Sequence, residues 1–187
     1  VIVDGLMEFV RDREVESFGD GPIFVVDTNI LIYAADADAP EHEVCREHVE
    51  TWRRRIAPWH VTWGIVYEFI RVVTHPNVFR SPWTSQEAWS FLSAILVSPG
   101  LTALIETDHH HQVSVAVFNE VSHLSGNLVF DAHTAILMRE HGIRTIYTRD
   151  TDFNRFPFVD VIDPEQKGAG HLAVERLLRS RCSQLLQ

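Results

Sequence analysis

The chain has 187 residues, of which 45% are hydrophobic, and a formal net charge of −10 at pH 7. This length predicts one folded domain, and the acidic charge argues against a protein that binds nucleic acid through basic patches alone. No apolar run of about 18 residues and no signal-peptide pattern is present, so we expect a cytoplasmic protein without a membrane contact. Cys45 and Cys182 match no ligand or redox spacing, which argues against disulfide or zinc-thiolate chemistry.

The sequence divides into three segments. Residues 1–22 carry apolar positions in helical spacing and then an acidic, glycine-containing linker, which predicts an N-terminal extension. Residues 23–164 predict the main domain, and residues 165–187 predict a linker and a basic amphipathic C-terminal helix. The N-terminal helix is expected to pack on its own domain or to occupy a groove that a partner helix would otherwise use. For the C-terminal helix, packing on the domain, a dimer contact and fraying stay open.

Short β-rich runs alternate with longer helical ones along the main domain, which predicts βαβ units and a parallel sheet. The predicted strands cover residues 23–27, 60–62, 101–105, 145–148 and 159–162. The predicted helices cover residues 28–35, 41–56, 63–74, 84–97, 110–124 and 131–141. Thr84 and Glu87 have the spacing of a capping box at the start of the fourth helix. The fold class is therefore α/β.

Acidic residues stand where a parallel sheet forms ligand sites. Asp27 directly follows a buried apolar run, and in open α/β sheets ligands bind at the carboxyl ends of the strands. Asp131 follows another apolar run and opens a predicted helix, whereas Asp150 and Asp152 follow a short strand. Glu68 lies in a densely apolar helical stretch, where an unpaired ionised carboxylate is costly and its charge needs compensation.

Taken singly, each acid has an ordinary structural explanation. Asp131 suits an N-cap, and Asp150 suits a turn. Taken together, carboxylates from separate elements predict a site for Mg²⁺ or Mn²⁺, because both ions prefer oxygen ligands. Two like charges about 4 Å apart repel by roughly 4 kcal/mol at an effective dielectric constant of 20, so such a cluster requires cations or raised pKa values.

Other chemistries fit the sequence less well. His42 and Glu43 begin like a zinc-protease H-E-x-x-H helix, but Arg46 stands at the second histidine position. The consecutive histidines at 109–111 cannot share one ligand face, and we expect them to form a solvated helix start. Receiver and haloacid-dehalogenase-like phosphotransferases use a lysine near their acids, whereas Lys167 follows the last predicted strand. Most of the five tryptophans are expected to pack in the core rather than to stack on RNA bases.

Five motifs, in their order and spacing, resemble the PIN-domain ribonucleases, and most closely the VapC-type toxins of bacterial toxin–antitoxin modules. They are Val25-Val26-Asp27-Thr28-Asn29, Glu68 in its apolar helix, Thr74-His75-Pro76-Asn77-Val78-Phe79, Phe130-Asp131-Ala132-His133-Thr134-Ala135 and Thr148-Arg149-Asp150-Thr151-Asp152-Phe153. The likeness covers residues 24–164. It implies a three-layer α/β/α sandwich around a mainly parallel sheet, a homodimer, and an antitoxin that blocks the active site.

The resemblance also implies an activity, the metal-dependent hydrolysis of RNA phosphodiester bonds, with tRNA or rRNA as the substrate. The implied metal-binding acids are Asp27, Glu68, Asp131, Asp150 and Asp152, of which the first four are also the implied catalytic residues. The implied supporting polar residues are Thr28, Asn29 and Thr148. The cofactor would be Mg²⁺ or Mn²⁺. The alternative function is a catalytically silent PIN module that binds RNA or protein, and the two extensions depart from the family pattern.

Overall fold

A computed structural model describes residues 21–166, and a sheet of five parallel strands forms its centre. The strands are β1 (Phe24–Val26), β2 (Trp59–Thr62), β3 (Leu101–Leu104), β4 (Thr145–Tyr147) and β5 (Asp160–Ile162). The helices are α1 (Thr28–Ala35), α2 (His42–Arg54), α3 (Trp63–Val73), α4 (Ser85–Leu96), α5 (His110–Glu120) and α6 (Leu128–Glu140). A short 3-10 helix spans Thr151–Arg155. None of these helices is long and apolar enough to cross a lipid bilayer.

The central strand β1 shows that helices cover both faces of the sheet. Phe24, Val25 and Val26 have no exposed surface. Successive side chains of a strand point to opposite faces, so a strand that is buried at every residue must be covered on both sides. Val25 pairs with His60 on one side and with Ile146 on the other, both in parallel register. The predicted three-layer α/β/α fold around a parallel sheet is confirmed.

The strand order, β3-β2-β1-β4-β5, explains where a ligand site forms. The chain first moves from β1 to β2 and β3, and then crosses back to place β4 on the other side of β1. This reversal is a topological switch point, and open α/β sheets bind ligands in the crevice at the carboxyl ends of the strands there. Asp27 directly follows β1 and Thr148 directly follows β4, so both lie at this crevice.

Aromatic side chains fill the core around β1. The Phe24 ring lies 5.1 Å from that of Trp52 and 4.7 Å from that of Tyr147, and Trp59 has no exposed surface. Replacing such a buried aromatic residue with alanine typically costs about 3–5 kcal/mol. Trp83 packs against this core as well, which confirms core packing for most of the tryptophans.

Several boundaries differ from the sequence prediction. The helix predicted to open at Asp131 begins at Leu128, because the apolar residues before Asp131 form its first turn. The helix predicted to reach residue 124 ends at Glu120, where the backbone of Val121 becomes extended. The 3-10 helix was not predicted. The capping box at Thr84 and Glu87 is confirmed, with both of its reciprocal hydrogen bonds present.

The two predicted terminal helices lie outside the described residues, so the interpretations of residues 1–22 and 165–187 as extensions stay predictions.

Candidate metal centre

Asp27 occupies the end of β1 and the N-cap of α1, and its carboxylate is held by neutral donors. Its Oδ1 atom accepts a hydrogen bond from the backbone N–H of Thr28 at 2.7 Å. Its Oδ2 atom accepts one from the Thr148 hydroxyl at 2.7 Å and one from the Asn29 amide at 2.7 Å. Only 8% of the residue is exposed. These bonds fix the carboxylate in place without neutralising its charge.

Thr148 and Asn29 join the ends of β1 and β4 into one polar network. The side-chain N–H of Asn29 also donates to the Thr148 hydroxyl oxygen at 2.8 Å. The side-chain oxygen of Asn29, Oδ1, accepts from the backbone N–H of Arg149 at 3.3 Å. The Thr148 hydroxyl oxygen further accepts from the backbone N–H of Asp150 at 2.9 Å. The two strand ends are therefore held in one arrangement, with Asp27 and Asp150 on either side of Thr148.

Asp131, Asp150 and Asp152 form the closest group of carboxylates. One oxygen from each lies within 4.8 Å of the oxygens of the other two. Asp150 caps the 3-10 helix and accepts from the backbone N–H of Asp152 at 2.8 Å, so the turn interpretation of Asp150 is correct. The N-cap interpretation of Asp131 is wrong, because Asn127 occupies that position and Asp131 lies in the first turn of α6. The structure thus brings three of the predicted ligands together directly.

Glu68 approaches from α3 and lies at the rim of this group. Its Oε2 atom accepts from the Thr28 hydroxyl at 3.0 Å, and its Oε1 atom accepts from Arg71 at 3.0 Å. The side chain is 43% exposed, so the apolar stretch around it does not bury its charge as the sequence suggested. Solvent and Arg71 provide the compensation that we expected Glu68 to need.

The pKa values show that these carboxylates lie close enough to repel one another. Burial, with smaller contributions from the charges of Glu68 and Asp150, raises the pKa of Asp27 from 3.8 to about 6. Burial, with smaller contributions from the charges of Asp27 and Asp150, raises the pKa of Asp131 to about 7. Hydrogen bonds from Thr148 and Thr28 lower the pKa of Asp27 but do not cancel this effect. A bound cation would remove the repulsion.

We call Asp27, Glu68, Asp131, Asp150 and Asp152 the acidic site. All of the atoms that this site offers as metal ligands are oxygen atoms, the ligand type that Mg²⁺ and Mn²⁺ prefer. Within residues 21–166, its only salt bridge is the one between Glu68 and Arg71. The residues present therefore fit a divalent cation bound by carboxylates.

Arg149 lies next to Asp150 in sequence but belongs to a different group of charges. Its guanidinium pairs with Glu41, with Asp163 at 3.5 Å and with Glu165 at 2.8 Å. We call these four residues the Arg149 cluster. Because three carboxylates hold this guanidinium, Arg149 is unsuited to bind a substrate phosphate.

Two groups of residues outside the acidic site were not identified from the sequence. Trp63, Tyr67 and Trp89 form an exposed aromatic row, with ring centroids 6.1 Å and 6.4 Å apart along it. His110 is not solvated as expected, because its ring bonds the Glu140 carboxylate and lies beside His133. The i, i+4 spacing of Trp63 and Tyr67 on a predicted helix was a signal for the first group. The second joins residues far apart in sequence and had no such signal.

Comparison with known proteins identifies the class to which this fold and site belong. The family model of the PIN domain matches residues 24–159. The solved structure of VapBC2 from Rickettsia felis, bound to a DNA fragment from its promoter, superposes on this chain with a TM-score of 0.54. The two chains are 15% identical, and the superposition covers 75% of this chain and 97% of that one. VapC20 of Mycobacterium tuberculosis, a sarcin-ricin loop cleaving toxin, gives 0.52 at 16% identity, covering 70% and 92%. At these identities the structures show a shared fold.

Sequence similarity narrows the class. Ribonuclease VapC48 of Mycobacterium tuberculosis is 30% identical over 138 residues, which cover 74% of this chain and 94% of that protein. The chain belongs to the PIN-domain family and, within it, to the VapC ribonucleases.

Proposed function

We propose that this protein is a Mg²⁺- or Mn²⁺-dependent endoribonuclease toxin of a toxin–antitoxin system, which hydrolyses RNA phosphodiester bonds. The observation that carries the proposal is the convergence of the acidic site. Carboxylates from the ends of β1 and β4, from α3 and from α6 meet at the switch point of the sheet. Such mutually repelling carboxylates, next to the place where a phosphate would bind, serve a nuclease better than a simple binder. The name of the relative VapC48, a ribonuclease, supports the same conclusion.

The proposed metal ligands are Asp27, Glu68, Asp131, Asp150 and Asp152, with Asp27 and Asp131 as the strongest candidates for direct coordination. Oδ1 of Asp27 keeps acceptor capacity for a metal, because it accepts one hydrogen bond and carries two lone pairs, whereas Oδ2 already accepts two. Thr28, Asn29 and Thr148 are proposed as positioning residues. Thr148 and Asn29 orient Asp27, and Thr28 orients Glu68 through its hydroxyl. Outer residues of this kind affect metal affinity or activity by about 10- to 100-fold.

When bound, Mg²⁺ or Mn²⁺ lowers the pKa of water and offsets charge on the scissile phosphate. Glu68 is placed to take the proton of the attacking water or to orient that water. Its carboxylate is partly exposed at the rim, and bonds from Thr28 and Arg71 hold it there. Asp27 and Asp131, with pKa values raised toward neutrality, are the acids whose ionisation the cation favours most.

The proposed substrate is single-stranded or loop RNA of the tRNA or rRNA class. Bases in such regions are unstacked and accessible to side chains. The aromatic row of Trp63, Tyr67 and Trp89 offers stacking surfaces, since these residues are 43%, 60% and 38% exposed and two of them lie on α3, the helix that carries Glu68. Base stacking on an aromatic side chain contributes about 1–3 kcal/mol per base.

The remaining proposals follow from family membership. We propose that the protein acts as a homodimer in the cytoplasm, that an antitoxin protein blocks its acidic site, and that residues 23–164 form the nuclease domain.

The test is an RNA cleavage assay with the purified full-length chain. Total RNA is incubated with Mg²⁺, with Mn²⁺ or with a chelator, and new RNA ends are mapped by sequencing. Asp27→Asn and Asp131→Asn are compared with the control Asp160→Asn. Asp160 lies on β5, and its exposed carboxylate pairs with Arg144. We expect discrete, metal-dependent cuts from the wild type and from Asp160→Asn, and none from the two acidic-site variants.

The contrary outcome is equally specific. RNA that stays uncut with every metal but is retained tightly by the wild type and by both acidic-site variants would replace the nuclease with the silent RNA-binding module. Cuts that persist in the chelator would refute the metal dependence.

A further inference from the structure

A second group of metal-binding residue types lies outside the acidic site. Glu106 follows β3, His110 begins α5, and His133 lies on α6. One ligand atom from each of the three lies within 4.8 Å of those of the other two. Imidazole and carboxylate groups that meet from three elements at this distance have the composition of a zinc site with three protein ligands.

A buried carboxylate orients His110 for such a role. The Nδ1 atom of His110 lies 2.9 Å from Oε2 of Glu140, whose side chain has no exposed surface. The other Glu140 oxygen accepts from the Thr107 hydroxyl at 2.7 Å, which fixes the carboxylate. Because a carboxylate accepts, a neutral His110 ring would donate from Nδ1 to Glu140 and keep the lone pair of Nε2 for a metal. Metal-binding histidines almost always have a partner of this kind behind them.

His133 and Glu106 have the separation of two ligands on one ion. Nε2 of His133 lies 3.3 Å from Oε1 of Glu106. Two ligands bound tetrahedrally at about 2.0–2.1 Å are roughly 3.3 Å apart, so both atoms can bind one ion with little movement. The His110 and His133 rings are 5.6 Å apart between centroids, which places the second imidazole within the same group.

This group is distinct from the acidic site in position and in chemistry. His133 is two residues after Asp131 on α6, and residues at that spacing do not share a helix face. Two imidazoles and one carboxylate suit Zn²⁺, whereas Mg²⁺ prefers oxygen ligands alone. Millimolar Mg²⁺ therefore competes for the acidic site and leaves the histidine site available to zinc.

We propose that Glu106, His110 and His133 bind one Zn²⁺ ion, with Glu140 as the positioning residue behind His110. The ion would connect the end of β3, the start of α5 and the middle of α6. It would thereby fix α6, the helix that carries Asp131. The proposal does not depend on nuclease activity, because its ligands and its metal differ from those of the acidic site. Without a metal, the same contacts are two separate histidine–carboxylate hydrogen bonds.

The test measures zinc binding by the full-length chain, purified without a histidine tag. Zinc affinity is determined by competition with a coloured chelator in millimolar Mg²⁺, and metal content is measured after dialysis. The ligand variants are His110→Ala and Glu106→Gln. Glu106 is 55% exposed, so its variant should fold normally. The matched controls are His109→Ala and His111→Ala, because both residues are exposed neighbours of His110 outside the group.

We expect the wild type and both controls to bind one zinc ion in the presence of Mg²⁺. His110→Ala and Glu106→Gln should bind it at least about 100-fold more weakly, and Glu140→Gln about 10-fold more weakly. Zinc should raise the melting temperature of the wild type and of the controls but not that of the ligand variants. Wild-type protein that retains no zinc, or ligand variants that bind it as tightly as the controls, would overturn the proposal.

Discussion

The acidic site and the Arg149 cluster contain two adjacent residues, Asp150 and Arg149. The two groups differ in how their carboxylate charges are compensated. In the Arg149 cluster, one guanidinium pairs with three carboxylates, including Glu165 at 2.8 Å. In the acidic site, Asp131 and its close carboxylate neighbours form no salt bridge within residues 21–166, and the pKa of Asp131 is raised to about 7. The chain supplies its own cation where the charge is structural. In the acidic site, we propose that an ion from solution takes that place.

The two regions are also physically connected. The backbone N–H of Arg149 donates to the side-chain carbonyl of Asn29, whose amide donates to Asp27. The ion pairs of Arg149 therefore help to hold the strand end on which the acidic site is built. Some substitutions remove a carboxylate charge, and others change only the orientation of Asp27. Comparing them can distinguish the roles of the two regions.

The largest expected effect is that of Asp131→Asn. Loss of this proposed direct metal ligand should lower the rate of metal-dependent RNA cleavage by at least about 100-fold, the upper end of the effect of losing an outer-shell residue. The same change should raise the melting temperature of the metal-free protein at pH 7.5, because it removes one of the repelling charges. Cleavage kinetics test the expected loss of rate, and thermal melts in chelator test the expected rise in melting temperature.

The matched change in the other region is Glu165→Gln, which removes a carboxylate that a cation already pairs. It should lower the melting temperature slightly and leave cleavage intact. If Asp131→Asn destabilised the metal-free protein as Glu165→Gln does, the acidic site would have to contain an internal counter-charge.

The second prediction concerns pH. Folding raises the pKa of Asp27 to about 6 and that of Asp131 to about 7, both from 3.8. At these two carboxylates the folded state therefore binds more protons than the unfolded state between these values, so both should make the metal-free protein less stable as pH rises from about 4 to about 7. For the buried Asp27 alone, the loss has an upper bound of about 3 kcal/mol.

Thermal melts across this pH range in chelator and in Mg²⁺ provide the measurement. Mg²⁺ should reduce the loss at the upper end of the range, since the ion binds the ionised carboxylates. The variant Asp131→Asn should show a smaller pH dependence in chelator. If Asp131→Asn and the wild type had the same pH dependence in chelator, the raised pKa of Asp131 would be contradicted.

The features of the fold and of the acidic site that could be predicted are those that depend on residues close together in sequence. Asp27 was found because an apolar strand and the residue after it are adjacent in sequence. The capping box at Thr84 was found for the same reason. The start of α6 was misplaced because this helix is buried on most sides, from Thr134 to Met138 without interruption, so it has little amphipathic period to read.

The parts that failed depend on tertiary contacts. Arg149 pairs with Glu41, which is 108 residues away, and His110 pairs with Glu140, which is 30 residues away. No local pattern marks either pair. The exposure of Glu68 was misjudged because an apolar helical stretch does not tell which face the sheet covers.

The third prediction is that Arg149→Ala lowers stability by about 2 kcal/mol, because it leaves three carboxylates without their cation in a partly buried place. For a domain of this size, that is roughly 4–8 °C in melting temperature. Arg144→Ala breaks an ion pair with Asp160 in which both side chains are 61% exposed, and it should cost less than about 1 kcal/mol. Equal losses from the two variants would mean that the Arg149 cluster is an ordinary surface ion pair.

The smallest expected effect on cleavage, and the one that best links the two regions, is that of Thr148→Val. The substitution keeps the shape of the side chain but removes the hydroxyl that donates to Asp27 and accepts from the N–H of Asp150. The pKa of Asp27 should rise further, because this hydrogen bond lowers it. The Mg²⁺ concentration needed for half-maximal cleavage should then increase about 10-fold.

Thr62→Val is the matched control for this loss. Thr62 is also a buried threonine at the end of a strand, and its hydroxyl caps α3 by accepting from the N–H of Ile65 at 3.1 Å. Both substitutions should cost stability, about 1 kcal/mol for the lost cap and about 1–3 kcal/mol for the buried groups left without a partner at Thr148. Only Thr148→Val should change the Mg²⁺ dependence, since only its hydroxyl touches an acid of the site. If Thr62→Val shifted that dependence equally, the effect would come from general loosening of the sheet edge rather than from the orientation of Asp27.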